Sequence, residues 1–191
     1  MILMKTECTK LIPLISREKI AARLNDMATE ICAATEASER PIAVVVLQGG
    51  FIFGADLLRC LPPDFPIDVT FVRCQSYGAG TVSSGKVILM QDIEADVDLH
   101  GRTAILIDDI LDTGLTIRFL CDHLKKRGAA KVRTCVLLFR SQATPPAILP
   151  DFFGFSAGKE FFVGYGLDFN GKYRHLPDLS ALQTAAPDGT A

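Results

Sequence analysis

The spacing of apolar residues changes along the chain and predicts helices that alternate with strands. Behind Ser16, a residue type that caps helix N-termini, apolar side chains recur every three or four positions to about residue 38, which predicts an amphipathic helix. Apolar runs of strand length follow at residues 42–47, 103–107 and 132–139. Such runs are typical of strands that are buried on both faces, as they are in parallel sheets.

The remaining segments complete an α/β pattern. Shorter helices are predicted at residues 51–60 and 116–127, and further strands at about 67–73 and 86–91. The predicted fold class is therefore α/β, with a mostly parallel core sheet flanked by helices. We expect residues 1–191 to form a single domain whose core spans about 40–140. Proline and aromatic clusters beyond residue 140 predict a small β-rich hood subdomain, formed by about 141–182 together with about 1–15.

Charge and composition exclude several classes of protein. The 191 residues include 20 Lys and Arg against 22 Asp and Glu, and the formal net charge of −2 argues against nucleic acid or an anionic membrane as a partner. No apolar stretch approaches the roughly 20 residues that span a bilayer. The start of the chain does not resemble a signal peptide, and the six cysteines are scattered singly, without metal-ligand or redox spacing. We therefore expect a cytoplasmic protein.

A long segment rich in glycine and serine, residues 74–86 (CQSYGAGTVSSGK), predicts a mobile loop. Its last part fits the GxxxxGK pattern of a phosphate-binding loop. However, Val87 stands where Ser or Thr would reach Mg²⁺, and the motif precedes a strand instead of opening a helix. We interpret this match as coincidental.

Candidate chemistry is concentrated where the apolar strand 103–107 ends. Three carboxylates, from Asp108, Asp109 and Asp112, precede the turn TGLT at the start of the next predicted helix. Backbone N–H groups at a helix N-terminus suit a phosphate monoester, and carboxylates suit sugar hydroxyls or Mg²⁺. The alternative is that Asp109 and Asp112 only cap the helix. Three carboxylates leading into a hydroxyl-rich glycine turn favour a functional site.

The segment ILIDDILDTGLT resembles the phosphoribosyl-pyrophosphate (PRPP) motif of type I phosphoribosyltransferases. The chain as a whole resembles the hypoxanthine-guanine branch of that family. Further matching segments, in the family's order, are LQGGFIF, SYG and EFFVGYGLDFNGKYRHL. The resemblance implies purine salvage by Mg²⁺-assisted transfer of ribose-5-phosphate from PRPP to a 6-oxopurine, with release of pyrophosphate. Hypoxanthine and guanine are the expected bases and xanthine is a further candidate. The resemblance also implies a homodimer or homotetramer.

The same resemblance assigns roles to individual residues. Asp112 is the catalytic general base, next to purine N7. The PRPP-binding residues are Asp108 and Asp109 at the ribose, Thr113, Gly114, Leu115 and Thr116 around the 5′-phosphate, and Gln48, Gly49 and Arg174 near the pyrophosphate. The base-binding residues are Ile110, Arg140, Phe161 and Phe162, where Phe161 stacks on the base and Phe162 offers backbone groups to its edge. Asp168 and Asp109 hold Mg²⁺, and Ser76 and Tyr77 belong to the mobile loop.

The sequence departs from the family pattern at three of these positions. Asp108 replaces the usual Glu, Gln48 replaces a frequent Lys in the pyrophosphate loop, and Arg140 replaces the Lys that recognises the exocyclic oxygen of the purine. Because a guanidinium presents a fixed fork of donors, we expect Arg140 to favour oxo bases over adenine. A PRPP-binding regulator of the same fold is the alternative. It should carry a second module or a basic patch, and the sequence shows neither.

Overall fold

The computed structural model describes residues 9–77, 86–140 and 148–184. Within these ranges the helices are α1 (Arg17–Ala34), α2 (Phe51–Arg59) and α3 (Leu115–Lys126), with a short 3-10 helix at Ala37–Glu39. The strands are β1 (Thr9–Ile15), β2 (Ile42–Leu47), β3 (Asp68–Tyr77), β4 (Lys86–Gln91), β5 (Thr103–Leu111), β6 (Lys131–Phe139), β7 (Phe152–Ser156), β8 (Phe162–Val163) and β9 (Leu179–Thr184). None of the described helices is long and apolar enough to cross a membrane.

Six strands form the main sheet in the order β4-β3-β2-β5-β6-β7, and three form a smaller sheet in the order β1-β9-β8. All neighbours in the main sheet are parallel except β3 and β4, and the smaller sheet is antiparallel. The predicted α/β class with a mostly parallel core is confirmed. The smaller sheet combines an N-terminal strand, β1, with the C-terminal strands β8 and β9.

Alternate residues of the central strands bury against opposite helical layers, which follows from the two-residue period of a strand. Val45 of β2 and Ile107 of β5 pack with the apolar faces of α1 and α2. Val44 and Leu106, one position earlier, pack against α3 on the other face. The unbroken apolar runs in the sequence therefore reflect strands that are covered on both sides.

Several predicted boundaries are wrong. Helix α1 ends at Ala34 instead of about residue 38, and β5 continues to Leu111, beyond its predicted end at 107. The loop expected at 74–86 begins later, because β3 continues to Tyr77 and pairs with β4 from Arg73↔Gln91 to Tyr77↔Lys86. The hood expected from residue 141 also begins later, because β7 joins the main sheet in parallel with β6. Gly154 allows this close pairing, since a Cβ there would lie 2.6 Å from the Leu137 carbonyl oxygen. Residues 78–85 and 141–147 of these predicted segments lie outside the described residues.

A C-terminal turn is fastened to α2 by a partly buried hydrogen bond. The Tyr165 hydroxyl donates to Asp56 Oδ2 at 2.7 Å, and Tyr165 itself is 6% exposed. Burial, and then the Asp56 acceptor, raise the pKa of the Tyr165 phenol above its usual range, so the hydroxyl stays a donor at neutral pH. The turn that contains Tyr165 is thereby held against the helix that follows Gly49 and Gly50.

We expect Tyr165→Phe to lower the free energy of unfolding by about 1–1.5 kcal/mol, because a partly buried hydrogen bond to a carboxylate is lost. Urea unfolding of the full chain measures this. Tyr173→Phe is the matched control, because within the described residues the half-buried Tyr173 makes no side-chain hydrogen bond. It should change the unfolding free energy by less than about 0.5 kcal/mol. Equal losses in the two variants would show that the Asp56 contact contributes nothing.

Candidate active site

The candidate site lies at the edge of the main sheet where β2, β5 and β6 end side by side. Ligands of α/β sheets bind outside the carboxyl ends of the parallel strands. A cavity of about 1000 Å³ opens at this edge. It is lined by most of the predicted site residues: Gln48, Gly49, Asp108, Asp109, Ile110, Asp112, Thr113, Gly114, Leu115, Thr116, Arg140, Phe161, Asp168 and Arg174.

Three predicted site residues are not among the described residues that line the cavity. The Phe162 side chain is buried in the core that packs against α1 and α2, so its proposed role rests on its backbone alone. The backbones of Ser76 and Tyr77 lie in β3, and their side chains are outside the described part of the structure. Their roles stay predictions.

The cavity also contains residues that the sequence did not single out. Cys74 lies on its wall, and burial raises the pKa of this thiol to about 11, which leaves it uncharged at neutral pH. Lys159 and Glu160 line the cavity next to Phe161. The only sequence cue for these two is their position immediately before the segment FFVGYG. Nothing in the local pattern separates them from solvated surface charges.

Two adjacent carboxylates occupy the floor of the cavity. Asp108 is 6% exposed, and its Oδ1 accepts the Asp109 N–H at 3.0 Å, while Asp109 Oδ1 accepts the Ile110 N–H at 2.9 Å. Burial raises the pKa of Asp108 well above its usual range, and the neighbouring Asp109 charge raises it further. Burial also raises the pKa of Asp109, an effect that hydrogen bonds and the Arg174 charge partly offset. A bound cation, or hydroxyl groups that donate hydrogen bonds to these carboxylates, would favour their charged forms.

The donor set at the site fits a substrate-bound Mg²⁺. Among the described residues, no three His, Cys, Asp or Glu side chains converge into a metal cage. Mg²⁺ commonly takes only one or two carboxylates and completes its octahedral shell with water and substrate phosphates. Asp109 and Asp168 both line the cavity and could supply those carboxylates.

Asp168 is held by contacts at both of its oxygens. The Arg174 guanidinium lies 2.6 Å from Asp168 Oδ1, and the Gly171 N–H donates to Oδ2 at 2.6 Å. Arg174 also donates to the Gly166 carbonyl at 2.6 Å. The predicted metal ligand and the predicted pyrophosphate-binding arginine therefore form an ion pair on the lining of the cavity.

The N-terminus of α3 forms a turn suited to phosphate. Gly114 is its N-cap and has φ 78°, in the left-handed region that favours glycine. The first turn of α3 contains no acidic side chain, and the Thr113 hydroxyl accepts the Leu115 N–H at 3.4 Å. Unpaired N–H groups at the start of a 12-residue helix, with threonine hydroxyls beside them, suit a phosphate group.

Gly49 brings the loop after β2 into contact with the acidic pair. A Cβ at this position would lie 1.8 Å from Asp109 Oδ2, so only glycine fits without moving the carboxylate. The Gly49 carbonyl in turn lies against Gly166, where an added Cβ would approach it to 2.2 Å. The loop, the acidic pair and the C-terminal turn therefore pack as one unit.

The cavity also contains an exposed aromatic ring and a second ion pair. Phe161 is 52% exposed and meets Phe169 edge-on, with ring centroids 5.5 Å apart. Arg140 Nη1 lies 3.0 Å from Asp112 Oδ2. An exposed aromatic face near donors and a carboxylate suits a planar heterocycle.

Taken together, a mostly parallel α/β sheet with a phosphate turn and a buried acidic pair at its carboxyl edge defines a protein that binds a phosphorylated sugar or nucleotide. Residues 15–170 match the family model described as phosphoribosyl transferase domain. The chain belongs to that family, which confirms the resemblance found in the sequence.

Individual relatives agree with this assignment. The hypoxanthine-guanine phosphoribosyltransferase of Aquifex aeolicus is 39% identical over 175 residues, which cover 91% of this chain and 96% of that protein. The bifunctional protein TilS/HprT of Listeria innocua is 38% identical over 170 residues, but this chain spans only 26% of its length. A crystal structure of a hypoxanthine-guanine phosphoribosyltransferase from Bacillus anthracis has a TM-score of 0.80 and 35% identity, covering 88% of this chain and 96% of that one.

We expect Gly49→Ala to weaken the binding of Mg²⁺-PRPP by about 10- to 100-fold, because the added methyl group must displace the Asp109 carboxylate at a cost of about 1–3 kcal/mol. Isothermal titration calorimetry measures the affinity. Gly158→Ala is the matched control, because the atoms that its methyl group would meet are at the end of the exposed Glu160 side chain. Unchanged affinity in Gly49→Ala would mean that the Asp109 position does not matter for binding.

Proposed function

We propose that the chain is a purine-salvage enzyme that transfers ribose-5-phosphate from PRPP to hypoxanthine or guanine and releases pyrophosphate. The observation that carries the proposal is the single cavity that joins the acidic pair, the phosphate turn and the exposed ring of Phe161. The relatives described above that are named hypoxanthine-guanine phosphoribosyltransferases support the same activity.

In this reaction the bond between ribose C1′ and a pyrophosphate oxygen breaks, and a bond between C1′ and a purine ring nitrogen forms. The proton of the purine passes to Asp112. Positive charge develops on the ribose in the transition state, and the carboxylates of Asp108 and Asp109, which both line the cavity, would stabilise it. The N-terminal turn of α3 holds the 5′-phosphate and so positions C1′ for attack.

We assign Asp109 and Asp168 as the residues that would hold Mg²⁺ together with oxygens of PRPP. When bound, the ion offsets negative charge on the departing pyrophosphate. Arg174 and Gln48 lie on the same cavity and are the proposed pyrophosphate contacts from the protein. The cytoplasm remains the predicted location.

We propose that Arg140 recognises the edge of the purine that carries the 6-oxo group. Its guanidinium is always charged and only donates hydrogen bonds, so it suits the oxygen of a 6-oxopurine and opposes the amino group of adenine. Phe161 supplies the stacking face, and the Phe162 backbone and Ile110 complete the proposed base site. A regulator that binds PRPP without turnover is not favoured, because the relatives reported above carry enzyme names.

We expect turnover with hypoxanthine and guanine, and kcat/KM for adenine lower by about 10³-fold or more, because buried donors would be left unpaired. The measurement is pyrophosphate release with PRPP, Mg²⁺ and each of hypoxanthine, guanine, xanthine and adenine. Efficient use of adenine would refute the role of Arg140. Absence of turnover with every base would refute the proposed function and favour the regulator.

We expect Asp112→Asn to lower kcat by about 10- to 1,000-fold while PRPP still binds, since a general base commonly contributes about 10²–10⁴-fold. Steady-state kinetics and calorimetry separate the two effects. Asp122→Asn is the control, because Asp122 is exposed on α3 and does not line the cavity. A variant that loses PRPP affinity but keeps its turnover rate would place Asp112 in ligand binding or helix capping instead.

We further propose a homodimer, because β3 exposes an apolar face. Val69 and Phe71 are 46% and 39% exposed and point to the same side of the strand. Analytical ultracentrifugation should give a dimer for the wild type and a monomer for Phe71→Glu, because a charge at the centre of an apolar interface costs several kcal/mol. A tetramer in the wild type, or a dimer that Phe71→Glu leaves intact, would contradict this arrangement.

A further inference from the structure

Arg140 contacts two segments that line the cavity, the one that contains Asp112 and the one that contains Glu160. Asp112 follows β5 and Arg140 follows the adjacent β6, and the Arg140 N–H donates to the Leu111 carbonyl at 2.9 Å. In the side chain, Nη1 donates to Asp112 Oδ2 at 3.0 Å and Nη2 donates to the Glu160 carbonyl at 2.8 Å. The Arg140 side chain is 14% exposed, so the guanidinium is largely shielded from water.

The second contact joins the guanidinium to the segment that carries the exposed ring of Phe161. Glu160 immediately precedes Phe161, and the segment is anchored on both sides. The Ala157 N–H donates to the Phe139 carbonyl at 2.8 Å, and the Leu182 N–H donates to the Phe161 carbonyl at 2.8 Å. One planar group therefore joins the carboxylate that follows β5 to the backbone that carries the exposed ring.

We propose that Arg140 is a positioning residue for Asp112, a role that rests on the proposed function and adds to base recognition. Within the described residues, Arg140 is the one side chain that hydrogen-bonds the Asp112 carboxylate. It engages Oδ2 and leaves Oδ1 to accept the purine proton. Since Arg140 is also fixed to Glu160, the distance between proton acceptor and stacked base is set by one rigid group.

An arginine can position Asp112 and also donate a hydrogen bond to the purine. A guanidinium has five N–H donors, of which two are used by Asp112 and the Glu160 carbonyl. The Nε atom is buried without a hydrogen-bond partner in the described structure. The second N–H groups of Nη1 and Nη2 are therefore the donors that remain for the purine oxygen. A lysine presents its donors on one nitrogen at the end of a flexible chain and cannot contact both segments in the same way.

A double-mutant cycle tests whether Arg140 acts through Asp112. The four proteins are the wild type, Arg140→Lys, Asp112→Asn and the double variant, and the readout is the single-turnover rate with saturating PRPP and hypoxanthine. We expect Arg140→Lys to lower the rate by about 10-fold or more in the wild-type background. In the Asp112→Asn background, where no base is left to position, it should lower the rate by less than about 2-fold.

Lys159→Gln provides the matched control. Lys159 is a cation on the same cavity wall, one residue from Glu160, but it makes no ion pair with Asp112. Its effect should be the same in the two backgrounds, whatever its size. PRPP affinity and unfolding midpoints of all variants separate positioning from loss of folding. Arg140→Met is added as a variant whose side chain has no hydrogen-bond donor.

Two outcomes overturn different conclusions. If the wild type turns over hypoxanthine and the effects of Arg140→Lys and Asp112→Asn multiply, Arg140 does not act through Asp112 and the inference fails while the proposed function stands. If the wild type shows no turnover with any 6-oxopurine, the proposed function fails before the cycle is measured.

Discussion

Parallel pairing of β5 with both of its neighbours is the constraint on which the site depends. The register pairs Val45 of β2 with Ile107 of β5, and Leu111 of β5 with Phe139 of β6. Because parallel strands end at the same edge, Gly49, Asp109 and Arg140 must meet there, although they are far apart in sequence. The pairing is held by apolar side chains on both faces of each strand, so the hydrophobic core and the site are specified by the same residues.

Backbone segments pack closely at this edge of the sheet, and this packing restricts which residues can occupy it. Gly49 lies against the Asp109 carboxylate, and Gly166 lies against the Gly49 carbonyl. The Tyr165 hydroxyl, bonded to Asp56 on α2, keeps that C-terminal turn in place. The loop after β2, the end of β5 and the turn near residue 166 are thus three layers in direct contact. A side chain added at Gly49 would meet the Asp109 carboxylate directly, and one added at Gly166 would meet the Gly49 carbonyl.

The sequence predicts the parts of the structure that depend on local pattern. The bounds of β2 and β4 match their predictions, and the Ser16 cap of α1 is found, because apolar period and capping chemistry are local. The extension of β3 and the membership of β7 depend on pairing with distant strands, which no local pattern contains. In the site, the motif around Asp108 was recognisable from its chemistry. The contact from Arg140 to the Glu160 carbonyl joins residues on separate segments through a backbone atom, so side-chain types could not indicate it.

Charge is distributed unevenly along the cavity, and this distribution suits the proposed chemistry. Two arginines each contact a carboxylate and a main-chain carbonyl: Arg140 contacts Asp112 and the Glu160 carbonyl, and Arg174 contacts Asp168 and the Gly166 carbonyl. Each of these pairs offsets its own charge. Asp108 and Asp109 are adjacent on the cavity lining, make no ion pair of this kind within the described residues, and have pKa values that burial raises. Positive charge beside these carboxyls favours their charged forms. In the proposed reaction the sugar gains positive charge in the transition state, so the two carboxylates stabilise the transition state more than the uncharged ribose of the bound substrate.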